Sequence, residues 1–418
     1  MKKNPSTGNL LQSGIVFSAI SFLTGLGNFG FQAIIGRQLK ESGQFGLTNT
    51  TLGFVQLLGL PMSFAIIAVT HYIARFHFSG DDARLQGLFA GCRKFLFHLT
   101  IGGSISAVLL LKPLSDFFHF PPGLMLAALC CVLMGFWGAF ATALCQGLGW
   151  FKRLAFIGFF AVCLRLMFGG LVTIKIPTAE TAVLASAFML LSNLILLFWR
   201  KDLARKAEPV SPWNAEFVQY LIVAAAFAGG TYCFTQGDLL VAQRYFLHAE
   251  LDPYTAAGVF ARALPITVGP MLTVLFTHRS SQHHGDALRE QLKLLGLYTL
   301  GLGCGAVGLL MLRIFCLTLL HKYTPEAANM IMPLAITMLS VGLLQALGMW
   351  SLASRWIKIS LLYGALGLAY WLALLTFGKS PESLLHIMPI AAGIAFAILF
   401  AVWLIAMRLH KIGAPEQT

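Results

Sequence analysis

Long apolar stretches alternate with short polar loops along the whole chain, at 10–35, 47–73, 95–111, 124–148, 154–174, 181–199, 218–242, 256–277, 292–312, 327–350, 358–377 and 385–407. Most come close to the roughly 20 residues that a helix needs to cross an apolar layer of about 30 Å. No backbone group can stay unpaired in that layer, so a spanning segment is a helix or part of a closed barrel. These runs are too long and continuous for barrel strands. The pattern therefore predicts an all-α integral membrane protein with twelve transmembrane helices.

The loops are short, and the longest linker falls at mid-chain. It reads RKDLARKAEPVSPWNAEF (200–217) and carries Pro209 and Pro212. It divides the chain into a first lobe of six spans (1–200), a cytoplasmic linker (201–217) and a second lobe of six spans (218–418). A weak echo agrees with two related halves. GQFGLTNTTLGFVQLLGLP (43–61) and DPYTAAGVFARALPITVGP (252–270) each lead into a span with an early aromatic and an interior proline. Transporters are often built from two such repeats with the substrate path between them.

Composition strengthens this reading. Apolar residues make up 57% of 418 positions and charged ones 11%, with mean hydropathy +0.77, against about a quarter charged in soluble domains. The formal charge of +13 would point to nucleic acid in a soluble chain. Here the basic residues sit beside membrane spans, where they set orientation and meet anionic lipid head groups, so no nucleic-acid partner is expected. Nineteen of the 29 Lys and Arg fall in the N-terminus, the even-numbered loops and the C-terminal tail, and eight in the odd-numbered loops. Both termini are thus expected to be cytoplasmic. Lys2 and Lys3 precede a first span longer than a signal-peptide core, which is read as an uncleaved helix. The eight cysteines form no CxxC pair or metal-type cluster and read as small core residues. No phosphate loop, HExxH or nucleophile elbow is present, the glycines of GLGNFG (25–30) lie inside the first span and read as helix packing, and neither a cofactor nor a metal is expected.

Three charges lie clearly inside the spans, away from their ends: Arg165, Asp238 and Arg262. An ionisable group at mid-bilayer is costly and normally faces a bundle interior or a watery cavity. Arg165 lies in FFAVCLRLMFGG, too deep to snorkel, whereas Arg262 lies nearer a helix end and can reach outward. Asp238 shares a helical face with Thr231 and Thr235. It either binds a proton or cation during transport or pairs with an arginine such as Arg262. Softer candidates for a cavity lining are Asn28 and Gln32 on one helix face, Gln56, Gln345, and the stacked pair Tyr363 and Tyr370. The structural alternative for each is an interhelical hydrogen bond.

Three segments then suggest a family. GRQLKESGQFG and the following YIARF (within 35–76), ALCQGLGWFKRLAFIGF (143–159), and the segment from FTQGDLL to PMLTVLF (234–276) lie at matching places in a twelve-span layout. Together they resemble the multidrug/oligosaccharidyl-lipid/polysaccharide exporter superfamily, in its polysaccharide and O-antigen flippase branch. Asp252-Pro253 stands where that branch often has a glycine. The resemblance implies two six-helix lobes forming a V around a central cavity. It further implies export of a lipid-linked oligosaccharide, on a polyprenyl phosphate or pyrophosphate, across the bacterial inner membrane for surface polysaccharide synthesis. Two arginines against one acid would make the interior cationic, and Arg binds phosphate oxygens in bidentate fashion. The nearest rival is a proton- or sodium-coupled drug antiporter of the same superfamily, with Asp238 as its coupling carboxylate. A membrane glycosyltransferase or polymerase fits less well, since no loop is large enough to hold a catalytic site; transport rather than catalysis is expected.

Overall fold

A computed structural model describes residues 7–39, 41, 43–118, 120–191, 215–281, 287–322, 324–354 and 356–412. The described residues are helical and carry no strand. The helices are α1 (Thr7–Gln38), α2 (Gln44–Leu58), α3 (Leu60–Ser79), α4 (Asp82–Phe118), α5 (Pro122–Gly147), α6 (Phe151–Lys175) and α7 (Ala179–Leu191). After residues 192–214, which include most of the expected linker and lie outside the described residues, come α8 (Ala215–Tyr245), α9 (His248–Ser281) and α10 (Ala287–Leu319). The chain ends with α11 (Pro325–Ala353), α12 (Ile357–Phe377) and α13 (Pro381–Ile412).

Every apolar stretch begins on one of these helices. Among the described residues, eight helices are individually long and apolar enough to cross a membrane, and nine when the bent pair α2/α3 counts as one span. That pair corrects the expectation of a continuous second span. The chain bends by 50° between α2 and α3, where Gly59 ends one helix and Pro61 opens the next. Proline has no N–H to continue the ladder and its ring clashes with the preceding turn, so Gly-Leu-Pro breaks the span.

The helices sort into two packing groups. In the first, α1 packs on α6, α3 on α5, and α7 on α5 and α6; in the second, α8 packs on α12, α9 on α11, and α11 on α13. The α8–α12 crossing depends on small residues. A Cβ on Gly364 would stand 2.6 Å from the Ala226 carbonyl oxygen, and one on Gly367 would stand 2.5 Å from Gly230 Cα. Such close backbone approach is how helices associate where lipid supplies no hydrophobic drive. The same lack of drive lets apolar side chains face outward: α4 exposes Ile105, Val108 and Leu109. Cys130, Cys163 and Cys304 are also exposed, while Cys131 and Cys145 are buried. The expectation of uniformly core cysteines is thereby corrected.

The groups meet where α2 and α3 lie on α8 and where α1 and α2 lie on α9. One end of this junction is pinned by polar contacts. Asp252 Oδ1 accepts the Gly46 N–H at 2.8 Å, its Oδ2 pairs with Lys322 Nζ at 3.1 Å, and Lys322 also donates to the Leu39 carbonyl at 3.0 Å. Thr50 adds a hydroxyl bond to Gln243 Oε1 at 2.8 Å.

Candidate functional site

Further along the same junction the two groups leave a cavity of about 350 Å³. Gln56 from α2, Thr235 and Gln236 from α8, Arg262, Pro265 and Ile266 from α9, and Met338 and Gln345 from α11 line it. The polar part of the lining is thus three amides, a hydroxyl and a guanidinium, with no carboxylate.

Arg262 is held from behind. On α9 it lies one turn beyond Gly258, and a Cβ at that glycine would come within 2.3 Å of the Arg262 Nη1 atom. The missing side chain leaves the guanidinium room to fold toward α8. There its Nε donates to the Thr235 carbonyl at 3.0 Å, and its Nη2 bonds Asp238 Oδ2 in an ion pair. Asp238 is fully buried, and the Tyr254 hydroxyl donates to the same oxygen. Its Oδ1 is buried with no partner among the described residues. Of the two uses the sequence leaves open for Asp238, the geometry displays the ion pair. Arg262 therefore turns inward instead of snorkelling, because a buried carboxylate compensates its charge better than a distant interface.

Arg165 lies elsewhere. Its helix, α6, packs on α1, α5 and α7 within the first group, and Arg165 is not among the residues that line this cavity. Arg165 donates to Asn28 Oδ1 at 2.9 Å and lies 4.0 Å over the Phe31 ring. Among the described residues no carboxylate pairs with it, and its Nε is buried and unpaired. The expected cationic cavity is corrected accordingly: one arginine is neutralised by Asp238, and the other is outside the lining.

The remaining candidates divide in the same way. Gln56 and Gln345 reach the cavity. Gln32 donates to Asn49 Oδ1 at 3.1 Å within the first group, and Asn28 is taken up by Arg165. Tyr363 and Tyr370 are buried between α8 and α12, away from the lining. The Tyr363 hydroxyl lies 3.0 Å from Thr231 Oγ1, and both rings pack on Phe234. Thr235, Gln236, Met338 and Tyr254 escaped the sequence reading as site residues. The run Thr-Gln-Gly-Asp at 235–238, polar inside an apolar span, held a signal for the first two. Met338 had none, since a methionine in an apolar helix looks like any core residue.

No family model and no curated protein matches the sequence. Solved structures do resemble it along nearly its whole length. One is an outward-facing multidrug resistance MATE family transporter of the MOP superfamily, with a TM-score of 0.66 and 10% identity over 99% of this chain and 100% of that one. Another is the Vibrio cholerae MATE transporter VcmN in its bent form, with TM-score 0.62 and 14% identity over 97% and 99%. A third is a MOP superfamily transporter from Pyrococcus furiosus, described by the reverse polarity of its binding pocket and a different function suggested by it. It aligns with TM-score 0.66 and 9% identity over 96% and 99%. At such identities the likeness establishes a shared fold.

Proposed function

We propose that this chain is an alternating-access transporter that moves a lipid-linked saccharide across the bacterial cytoplasmic membrane. The carrying observation is the chemistry of the cavity. Gln56, Gln236, Gln345 and Thr235 offer donors and acceptors together, which is what a sugar hydroxyl, itself both donor and acceptor, requires. Arg262 supplies a site for a phosphate oxygen. A cationic drug would be met by a carboxylate or an aromatic face, and the lining has neither. A volume of about 350 Å³ is at the small end of ligand sites, which run from about 300 to 1,000 Å³. It suits a head group whose lipid tail stays in the bilayer.

The fold narrows the class and leaves the substrate to the site. The Pyrococcus furiosus transporter, named for its reversed pocket polarity, is a precedent for function following pocket chemistry within this fold. With both termini on the cytoplasmic side, as the distribution of Lys and Arg implies, the Asp252–Gly46 and Lys322–Leu39 contacts close the outer end. The second reading, a cation-coupled drug antiporter, draws on the multidrug resistance transporter of the same fold and would use Asp238 for coupling.

Proteoliposomes separate the two readings. Purified protein should move a fluorescent lipid-linked disaccharide between leaflets and leave ethidium distribution unchanged. The variant Gln236→Leu/Gln345→Leu should slow saccharide movement at least tenfold, since unpaired sugar hydroxyls in a desolvated site each cost about 1–3 kcal/mol. Gradient-driven ethidium transport without saccharide movement would overturn the proposal.

A further inference from the structure

Arg262 belongs to two environments at once. It lines the cavity with Gln56, Gln236 and Gln345, and it is the cation that compensates the fully buried Asp238. Asp238 Oδ2 receives both the Arg262 and the Tyr254 bonds, while Oδ1 stands buried and unpartnered among the described residues. The pair is neutral, with one guanidinium against one carboxylate.

An anion entering the cavity meets Arg262 as the cation of its lining. If the anion took Arg262 while Asp238 stayed ionised, the buried cluster would carry net negative charge, and uncompensated charge away from water is costly. A proton on Asp238 restores neutrality, and the free Oδ1 is the atom to receive it. A proton needs a single acceptor oxygen, which Oδ1 supplies, and among the described residues no group of three or more Asp, Glu, His or Cys adds the carboxylates a divalent ion would take.

We infer that the cavity binds a phosphate-class anion and a proton together, with Arg262 exchanging Asp238 for the anion's oxygens. An O–H bond forms at Asp238 Oδ1 as a hydronium ion or buffer acid gives up its proton, the Arg262–Asp238 pair opens, and the Arg262–phosphate pair closes. This rests on the cavity being the substrate site. The titratable groups facing Asp238 are Tyr232 on its own helix, Tyr254 and Arg262 from α9, and Tyr370 from α12; from α13 the Met388 sulfur approaches the Tyr254 hydroxyl. Of these groups Asp238 is the carboxylate, the one whose negative charge a bound proton cancels. Both the empty and the loaded site are then neutral, and movement of the halves carries no net charge there.

The test uses the full chain in nanodiscs and farnesyl methyl phosphate, a phosphodiester whose single charge does not titrate near neutral pH, with farnesol as the uncharged control. Calorimetric titration in buffers of different ionisation heat counts protons. The native protein should take up about one proton per phosphodiester bound, and by linkage its affinity should tighten by up to tenfold per pH unit of acidification. Asp238→Asn should bind the probe at least tenfold tighter at pH 8, without proton uptake or pH dependence, because Arg262 no longer surrenders a carboxylate. If that variant does not fold, the pH slope of the native protein decides alone. Native binding without proton uptake, or with sodium uptake in its place, overturns the inference and leaves the cavity reading standing. Equal affinity for farnesol and the phosphodiester, or no binding at all, overturns the inference and removes the anion from the cavity reading as well.

Discussion

Two arginines lie in the apolar interior, and they are stabilised in opposite ways. Arg262, in the second half, faces a formal negative charge on Asp238. Arg165, in the first half, meets the Asn28 carbonyl dipole and the face of Phe31 and, among the described residues, no carboxylate. An ion pair cancels the charge and makes it exchangeable, since any better-placed anion can compete for it. A dipole and a ring quadrupole lower the cost of the charge without cancelling it, so Arg165 keeps a standing positive potential in its half. The residue type is the same in both places, and the partner decides whether it is a switch or a fixed field.

The sharpest way to break this contrast is to remove the partners. Asp238→Ala leaves a buried guanidinium uncompensated and should destabilise the protein by about 3–5 kcal/mol, read as loss of thermal stability in detergent. The double variant Asp238→Leu/Arg262→Met should recover most of that loss, because apolar replacement of a whole buried pair is close to neutral. A double variant as unstable as Asp238→Ala would show that the pair is not the source of the loss. In the first half, Asn28→Ala should cost about 1.5–3 kcal/mol, the range for a hydrogen bond to a charged group. A thermal shift equal to that of Asp238→Ala would erase the distinction between the two arginines.

Smaller perturbations sharpen it. Gly258→Ala places a Cβ within 2.3 Å of Arg262 Nη1; overpacking of this kind costs about 1–3 kcal/mol, and it should impair saccharide movement more than folding. Unchanged transport rates in liposomes would show that the guanidinium position is unimportant. Phe31→Leu keeps the bulk and removes the ring beneath Arg165, with an expected stability loss of about 0.5–2 kcal/mol. The loss of a buried aromatic that packs on another ring, such as Phe140→Leu against Phe89, is the control.

Parts of this arrangement are legible in the sequence because a charge or amide inside an apolar run is conspicuous. Asp238, Arg262, Gln56 and Gln345 stand out for that reason; the Gly-Leu-Pro at 59–61 carries a signal of the break, yet the apolar run across it reads as one continuous span. Nothing local says that Asp238 and Arg262, 24 residues apart, face each other: that requires α8 and α9 to fold back as a hairpin and Gly258 to leave room. Depth along the helix separates Arg165 from Arg262, but nothing local says that one meets a carboxylate and the other an amide. Tyr363 and Tyr370 share a helical face as the spacing implies, but that face is turned into the α8–α12 packing.

The one-dimensional pattern alone determined that the chain is helical and suited to a membrane, because backbone hydrogen bonds in lipid must close within each segment and apolar length is countable. Which buried charge meets which, and which amides line a hollow, was decided only by tertiary packing. Those contacts depend on helix rotation and crossing, and in a chain whose helices are apolar all round, periodicity carries little information about either.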